Sequence, residues 1–257
     1  MAVTDSTVVF ISGVGKGIGA GIAKLYLSRP NHTVIGSVRD LSTPSVAELK
    51  ASPAASGSKL LLVHIESTSS TDPVAAVEAI RAQGIDHIDI AIDIAIANAG
   101  AMPSTVPIED VDTKDMLENY HINAIGPLLL FQALLPLLKK GTEPKWASVS
   151  TTAGSIGLVD PLAAWILPAY GGAKAALNWL TAGIASSQKE WMTAIALHPG
   201  LVQTGPGNWV AQKVGMGDKA PMTVGDSAAN VVKLLDGLTK ESNGKFYNAV
   251  DGTEVPW

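Results

Sequence analysis

Cysteine is absent from the 257-residue chain, which excludes disulfide bonds and thiolate chemistry. Charged side chains are scarce, at 16%, and 18 basic against 23 acidic residues give a net charge of −5. A chain with this balance has no basic footprint for nucleic acid. Hydrophobic residues make up 47% of the sequence, a composition that argues against disorder and can form a large core.

The chain also lacks the long apolar run of a membrane-spanning helix. Its longest apolar stretch, residues 127–138, is shorter than the roughly 20 residues that a membrane-spanning helix needs, and it contains Gln132 and Pro136. Residues 1–7 lack the basic start of a signal peptide, and no long apolar stretch follows them. We therefore expect a soluble, cytoplasmic protein with neither a membrane nor a nucleic acid as partner.

Short apolar runs alternate with helical patterns along the chain. Most runs are apolar on both faces, as strands buried beneath helices are. The alternation predicts an α/β fold in a single domain, residues 1–257, with a doubly wound parallel sheet of the Rossmann type flanked by helices. The predicted strands are 8–12, 33–38, 59–65, 88–97, 146–149, 193–198 and 245–249, and the predicted helices are 17–27, 73–83, 113–139, 170–188 and 226–238.

Two segments depart from this regular alternation. A near-duplicated Ile-Asp-Ile-Ala sequence at 88–95 predicts an unusually long strand and leaves Asp93 in need of a polar partner or solvent. Residues 201–221 are rich in glycine, proline and methionine without clear periodicity. We expect this second segment to be a mobile loop that acts as a substrate lid.

A glycine-rich loop joins the first predicted strand to the first helix. Glycines permit a tight turn and close approach of phosphate oxygens, and the helix N-terminus adds N–H groups and partial positive charge. The loop is not a Walker A motif, because Lys16 is followed by glycine rather than Ser or Thr. A turn without a ligand is the alternative to a nucleotide site. The predicted contacts are Gly13, Gly15, Lys16, Gly17, Ile18 and Gly19.

The end of the second strand bears on the choice of cofactor. An acidic residue there would hold the ribose hydroxyls of NAD, whereas cations favour the 2′-phosphate of NADP. Arg39 comes first at this end, and Lys16 stands in the glycine loop, so the sequence favours NADP(H). The alternative is that Asp40 binds the ribose and both cations are solvated.

Tyr170 and Lys174 are four residues apart at the start of a predicted helix and therefore share one face. An isolated tyrosine has a pKa near 10, and we expect the neighbouring ammonium to lower it. A phenol tuned in this way can protonate an alkoxide that forms from a ketone.

Five segments, in this order, resemble the short-chain dehydrogenase/reductase family over nearly the whole chain. They are the glycine loop at 13–19, Asn98-Ala99-Gly100, Asn123, the pair Tyr170 and Lys174, and Pro199-Gly200-Leu201-Val202-Gln203-Thr204. The resemblance implies reversible hydride transfer between a nicotinamide and a carbonyl carbon, with Tyr170 as the acid/base.

The resemblance also implies roles for the other segments. Residues 98–100 would support the cofactor floor, and Asn123 would help hold the lysine through a water. Glu66 would stand where an aspartate near the adenine is typical. Family members associate through the two helices predicted at 113–139 and 170–188, which implies a homodimer or homotetramer. The carboxamide of the nicotinamide would be held by Pro199, Gly200, Val202 and Thr204.

A second resemblance is narrower. Residues 153–157 and the ending 246–257 are similar to fungal ketoreductases of the norsolorinic acid reductase type. This similarity implies reduction of a ketone or aldehyde, in secondary metabolism. The first alternative is an NAD-linked secondary alcohol dehydrogenase. The second is a non-reducing NADP(H)-binding sensor or scaffold protein.

The substrate side departs from the family pattern. The family places a serine three residues before Gly154, where this chain has Thr151, with Ser150 as the second candidate for the third catalytic hydroxyl. The stretch between Thr151 and Tyr170 is longer than is usual in the family. The extra residues fall in 158–168 and predict an enlarged loop over the substrate pocket. The five histidines show no metal-ligand spacing, so no metal is assigned. The predicted pocket residues are Met102, Trp165 and Trp209.

Overall fold

Seven strands form one fully parallel sheet in the computed structural model, which describes residues 6–94 and 105–257. The strand order is β3-β2-β1-β4-β5-β6-β7, so the chain winds outward from the β1/β4 pair in both directions. The predicted doubly wound fold is confirmed. The strands are β1 (Thr7–Ile11), β2 (His32–Val38), β3 (Lys59–His64), β4 (Ile90–Asp93), β5 (Lys145–Val149), β6 (Thr193–His198) and β7 (Phe246–Asn248).

Helices cover both faces of this sheet. On one face α1, α2 and α8 pack over Val9 and Ile11, and on the other α3, α5 and α6 pack over Val8 and Phe10. Both faces are apolar because neither meets water. The helices are α1 (Gly17–Leu27), α2 (Pro44–Lys50), α3 (Asp72–Ala82), α4 (Thr113–Tyr120), α5 (Gly126–Leu138), α6 (Pro168–Ser187), α7 (Gly205–Lys213) and α8 (Val224–Asp236).

Three elements differ from the sequence prediction. Helix α2 was not predicted, and α7 lies inside the segment predicted as an irregular lid loop. The predicted helix 113–139 is interrupted by a π-helical turn, His121–Ile125, between α4 and α5. Residues 113–138 would be long and apolar enough to span a membrane, but 56% of the apolar window is buried inside the fold, as in a core helix.

The predicted long strand at 88–97 is a four-residue strand, β4, in the part of the chain that the structure describes. Asp93 ends it, is 3% exposed, and accepts a hydrogen bond from Ser12 Oγ at 2.8 Å. The expected polar partner is therefore present at the end of β1. Because the chain reverses its winding between β1 and β4, a crevice opens at the carboxyl ends of these strands, where α/β proteins bind ligands.

Candidate active site

A cavity of about 590 Å³ occupies this crevice beside the glycine loop. Gly17 has φ +60°, a conformation that side chains disfavour, and it turns the chain into α1. Among the residues that the structure describes, no side chain caps the N-terminus of α1, so its first N–H groups remain available to an anion. Backbone donors, helix dipole and open volume together fit the pyrophosphate of a dinucleotide.

Most of the predicted cofactor contacts in the glycine loop and at Arg39 line a cavity. Gly13, Gly15, Lys16, Gly17 and Arg39 line this first cavity. Ile18 lines a second, smaller cavity that adjoins the first. Gly19 lines neither, and a Cβ there would stand 2.4 Å from the carbonyl oxygen of Gly13, so its role is close packing.

Glu66 is a further exception among the predicted contacts. Its neighbours Ile65 and Ser67 line the first cavity, whereas Glu66 does not. The backbone N–H of Glu66 donates to Asp72 Oδ2 at 2.9 Å, which fixes this turn at the start of α3. The predicted contact of Glu66 with adenine therefore has no counterpart in the cavity lining.

The outer end of the first cavity is positively charged. Lys16 and Arg39 are both exposed there, beside the hydroxyl-bearing Thr43 and Ser45. Asp40 Oδ1 accepts two hydrogen bonds from Ser42, from the backbone N–H at 2.8 Å and from Oγ at 2.6 Å. These bonds lower the pKa of Asp40 and occupy Oδ1.

A second cavity of about 290 Å³ adjoins the first and shares Thr204 and Pro206 with it. Thr151, Tyr170 and Lys174 all line it. The structure therefore brings the three predicted catalytic side chains to one place, next to the site that would hold a dinucleotide.

Helix α6 supplies two of these side chains. Pro168 occupies its first turn, where the fixed φ of proline suits a helix start. The loop after β5 approaches this helix closely, since a Cβ on Gly154 would stand 2.7 Å from Lys174 Cβ. A larger residue at 154 would force the loop that carries Thr151 away from the helix that carries the catalytic pair.

Burial governs the charge state of the catalytic pair. Lys174 is 1% exposed, and its Nζ donates to the carbonyl oxygen of Val149 at 2.9 Å and lies 6.0 Å from the centre of the Tyr170 ring. Desolvation lowers the pKa of Lys174 to about 8, with Asp93 opposing the shift.

The expected lowering of the tyrosine pKa is wrong for the structure as it stands. Desolvation raises the pKa of Tyr170 to about 12, because burial penalises a phenolate. Tyr170 is thus held in its protonated form, as a proton donor must be.

The third hydroxyl has two candidates, and the structure separates them. Ser150 is 3% exposed, and its Oγ donates to Asn178 Oδ1 at 2.6 Å, so its hydrogen is already engaged within the protein. Thr151 Oγ1 accepts the N–H of Ala153 at 3.2 Å, which leaves its own hydrogen available to a substrate oxygen. The geometry favours Thr151 over Ser150, in agreement with the order predicted from the sequence.

Asn123 lies in the π-helical turn that packs against α6. It is fully buried, and its Nδ2 donates to the carbonyl oxygen of Asn119 at 3.1 Å. Its Oδ1 is buried and accepts no hydrogen bond from the described residues. Turns of this type are frequent at functional sites, and an unpaired buried acceptor suits a bound water.

The segment after β6 closes the second cavity from the other side. Pro199, Gly200, Val202 and Thr204 line it, and Thr204 Oγ1 accepts the N–H of Gly207 at 3.2 Å to cap α7. This cap, followed by Pro206, gives residues 201–221 a helix where irregular structure was expected.

The predicted substrate pocket is corrected in detail. Trp165 is exposed and Trp209 lies against Lys213, and neither lines the second cavity. The enlarged loop at 158–168 does border the cavity, as predicted. Met102 and Asn98-Ala99-Gly100 lie outside the described residues. The apolar wall is formed by Leu162, Ile166, Leu167, Val210, Val214 and Met216.

Two residues of the site were not predicted. Asn178 joins α6 to the loop after β5, since its Oδ1 accepts from Ser150 and its Nδ2 donates to the carbonyl oxygen of Gly154 at 3.1 Å. Its position one turn after Lys174, on the inward face of α6, was the available signal. His198 ends β6 and lines the second cavity. Its place directly before Pro199 indicated proximity to the cofactor but no role.

Residues 7–213 match the family model described as short chain dehydrogenase. The chain belongs to the short-chain dehydrogenase family. The family predicted from the sequence is thereby confirmed.

Relatives within the family include fungal proteins. The short-chain dehydrogenase srdF of Neurospora crassa is 94% identical over 258 residues and covers 100% of both chains. The norsolorinic acid ketoreductase of Aspergillus parasiticus is 33% identical over 257 residues, covering 98% of this chain and 92% of its own. The solved structure of an NADPH-bound carbonyl reductase from chicken fatty liver has a TM-score of 0.82 at 28% identity, covering 98% of this chain and 95% of that one.

Proposed function

We propose that this short-chain dehydrogenase is an NADPH-dependent reductase of a ketone or aldehyde. The observation that carries the proposal is the junction of two cavities. One presents Lys16 and Arg39 beside a glycine loop, and the other presents Thr151, Tyr170 and the buried Lys174. NADPH, when bound, would supply the hydride for the carbonyl carbon.

The chain's own residues would position and protonate the substrate. Thr151 donates a hydrogen bond to the carbonyl oxygen, and the phenol of Tyr170 delivers a proton as negative charge develops there. The ammonium of Lys174 stabilises the tyrosinate that remains. Asn123 Oδ1 offers the acceptor through which a water reaches the lysine and replenishes the proton.

A preference for NADPH over NADH is supported by charge. A 2′-phosphate would meet Lys16 and Arg39 at the outer end of the first cavity, where Asp40 is engaged by Ser42. We expect Arg39→Asp to raise the KM for NADPH by ~10–100-fold, because a charge-assisted hydrogen bond is worth about 1.5–3 kcal/mol. Arg81→Asp, on the exposed side of α3, is the matched control and should leave this KM unchanged.

The decisive screen offers ketones and aldehydes with NADPH or NADH, and secondary alcohols with NADP⁺ or NAD⁺. Oxidation of NADPH that depends on a carbonyl compound is the expected result. Faster turnover of alcohols with NAD⁺ would instead indicate an alcohol dehydrogenase. Tight NADPH binding without turnover across the screen would indicate a sensor or scaffold protein.

We further propose self-association through α4 and α6. These helices pack side by side and expose Leu117 at 71%, Tyr120 at 44% and Trp179 at 74%. Large apolar side chains grouped in this way mark association surfaces. Light scattering after size-exclusion chromatography should show a homodimer or homotetramer, and Trp179→Asp should shift it toward the monomer. A cytoplasmic location and a role in secondary metabolism stay predictions.

A further inference from the structure

One polar side chain in the wall of the second cavity has no part in the chemistry proposed above. The imidazole of His198 forms no hydrogen bond with any residue in the described ranges. Its Nδ1 is buried without a partner, whereas Nε2 is not enclosed in this way. Nε2 is therefore the ring nitrogen that is open to a ligand, and the unpaired Nδ1 is a cost that the fold bears.

The sheet register places this imidazole beside the reaction centre. Val149 of β5 is paired with Leu197 of β6, and the N–H of Ser150 donates to the carbonyl oxygen of Leu197 at 2.7 Å. His198 therefore stands opposite Ser150, one residue before Thr151. Neighbouring strands are about 4.8 Å apart, so His198 lies next to the segment that carries Thr151, and both residues line the second cavity.

The surroundings select the kind of group that the ring can bind. The nearby wall is apolar, formed by residues such as Leu162, Val210 and Met216. Lys174 is the one charged side chain among the described residues that line the cavity, and it is bonded to Val149. In a largely apolar pocket, a small number of polar groups fix the orientation of the ligand.

The ring is neutral in this environment. Burial lowers the pKa of His198 to about 4, and the negative charge of Asp251 only partly opposes this. A neutral imidazole has one donor and one acceptor nitrogen, which matches a hydroxyl group. A carboxylate beside a neutral ring would lack the opposite charge that offsets the cost of burying it.

We propose that His198 is a specificity-determining residue that hydrogen-bonds a hydroxyl group of the substrate through Nε2. The enzyme therefore prefers carbonyl compounds that carry a hydroxyl group over the same compounds without one. The inference rests on the proposed reductase function, since Thr151 and Tyr170 fix where the carbonyl lies.

The test compares acetophenone with its 2′-, 3′- and 4′-hydroxy isomers, which present the hydroxyl at three distances from the carbonyl. For wild type, His198→Leu and His198→Gln, we measure the ratio of kcat/KM for each isomer to that for acetophenone. We also measure the Kd of each ketone with NADPH-loaded protein and the Kd of NADPH itself. His87→Leu, at the opposite end of the sheet, is the matched control.

We expect wild type to favour one isomer, and His198→Leu to lower that ratio ~10-fold, the value of one hydrogen bond of about 1–1.5 kcal/mol. The loss should fall on Kd, be partly restored in His198→Gln, and be absent in His87→Leu. No isomer preference in wild type, or equal losses for all four ketones, would overturn the proposal. So would a raised Kd for NADPH with the preference intact, because the ring would then serve the cofactor.

Failure of the reductase function is distinguishable from failure of this inference. If wild type reduces no carbonyl compound, the proposed function is wrong, and the ketone Kd values still decide whether His198 selects a hydroxyl group.

Discussion

The two cavities at the carboxyl edge of the sheet hold their charges in opposite ways. In the first, Lys16 and Arg39 are exposed at the rim, beside backbone N–H groups of the glycine loop. In the second, Lys174 is 1% exposed, and desolvation rather than a partner charge is the largest influence on its pKa. The difference indicates that the first cavity offers its positive charge to a ligand at the rim, whereas the second keeps its positive charge buried near the phenol of Tyr170.

Replacing the buried cation should have the largest effect. Lys174→Met removes the ammonium that stabilises a Tyr170 phenolate, and we expect kcat to fall ~10²–10⁴-fold, the usual contribution of a tuned acid/base. Steady-state kinetics with saturating NADPH measures it. The control is Lys213→Met at the end of α7, which lies against Trp209 and outside the cavity lining.

The same substitution should stabilise the fold in the absence of cofactor. Burial lowers the pKa of Lys174 from 10.5 to about 8, so the folded state is penalised below pH 8 and the penalty fades as pH rises toward 10.5. At pH 7 that penalty is about 3 kcal/mol, and losing the bond to Val149 offsets about 1 kcal/mol. Urea unfolding should therefore show a gain of about 2 kcal/mol, and a loss of stability would contradict the buried-charge argument.

The next effect concerns Asn178, whose side-chain amide joins the loop that carries Thr151 to α6. Asn178→Leu leaves the Ser150 hydroxyl and the Gly154 carbonyl oxygen unpaired in the interior, and we expect a loss of about 2–4 kcal/mol in unfolding free energy. Adding Ser150→Ala should recover part of the loss, because one orphaned group is removed. Strictly additive losses would show that the two side chains act independently.

The pH dependence of reduction should follow Lys174. Its ammonium is present below pH 8 and lost above it, while Tyr170, with a pKa near 12, stays protonated throughout. We expect kcat/KM to fall up to ~10-fold per pH unit above pH 8. Lys174→Arg keeps its charge and should give whatever activity it retains a flat profile. A flat wild-type profile to pH 10 would contradict the assignment.

The smallest effect is expected at an exposed ion pair far from the catalytic pair. Arg29, just after α1, forms an ion pair with Asp236 of α8 at 2.6 Å, and the two side chains are 35% and 44% exposed. Solvent screening limits such pairs to about 1 kcal/mol or less, so Arg29→Ala should change the unfolding free energy by no more than that. A loss of unfolding free energy as large as that of Asn178→Leu would contradict the distinction between buried and exposed polar groups.

Much of this arrangement could be predicted from local sequence. The glycine loop and the Tyr170–Lys174 pair are recognisable because strand–turn–helix order and helical spacing fix their geometry within a few residues. The parallel sheet followed from apolar runs separated by helical crossovers. Helix α7 was missed because its glycine and proline content obscures periodicity, although Thr204 is a cap signal.

Other features depend on residues that are distant in sequence. Asn178 meets Ser150 across 28 positions, and His198 lies beside the Thr151 segment through strand register. The pKa of Tyr170 depends on how much of its surroundings the fold closes to water, which the i, i+4 spacing to Lys174 does not reveal. For the same reason, the exclusion of Trp165 from the cavity wall could not be read from composition.

The central claim is that Tyr170 protonates the substrate in the second cavity, whereas residues around the first cavity account for most of the affinity for NADPH. The most direct measurement determines kcat and the Kd of NADPH for Tyr170→Phe, with Tyr120→Phe on exposed α4 as the control. We predict that Tyr170→Phe lowers kcat at least ~100-fold while the Kd of NADPH stays within a factor of two or so, and that the control changes neither. Turnover at the wild-type rate in Tyr170→Phe would contradict the account.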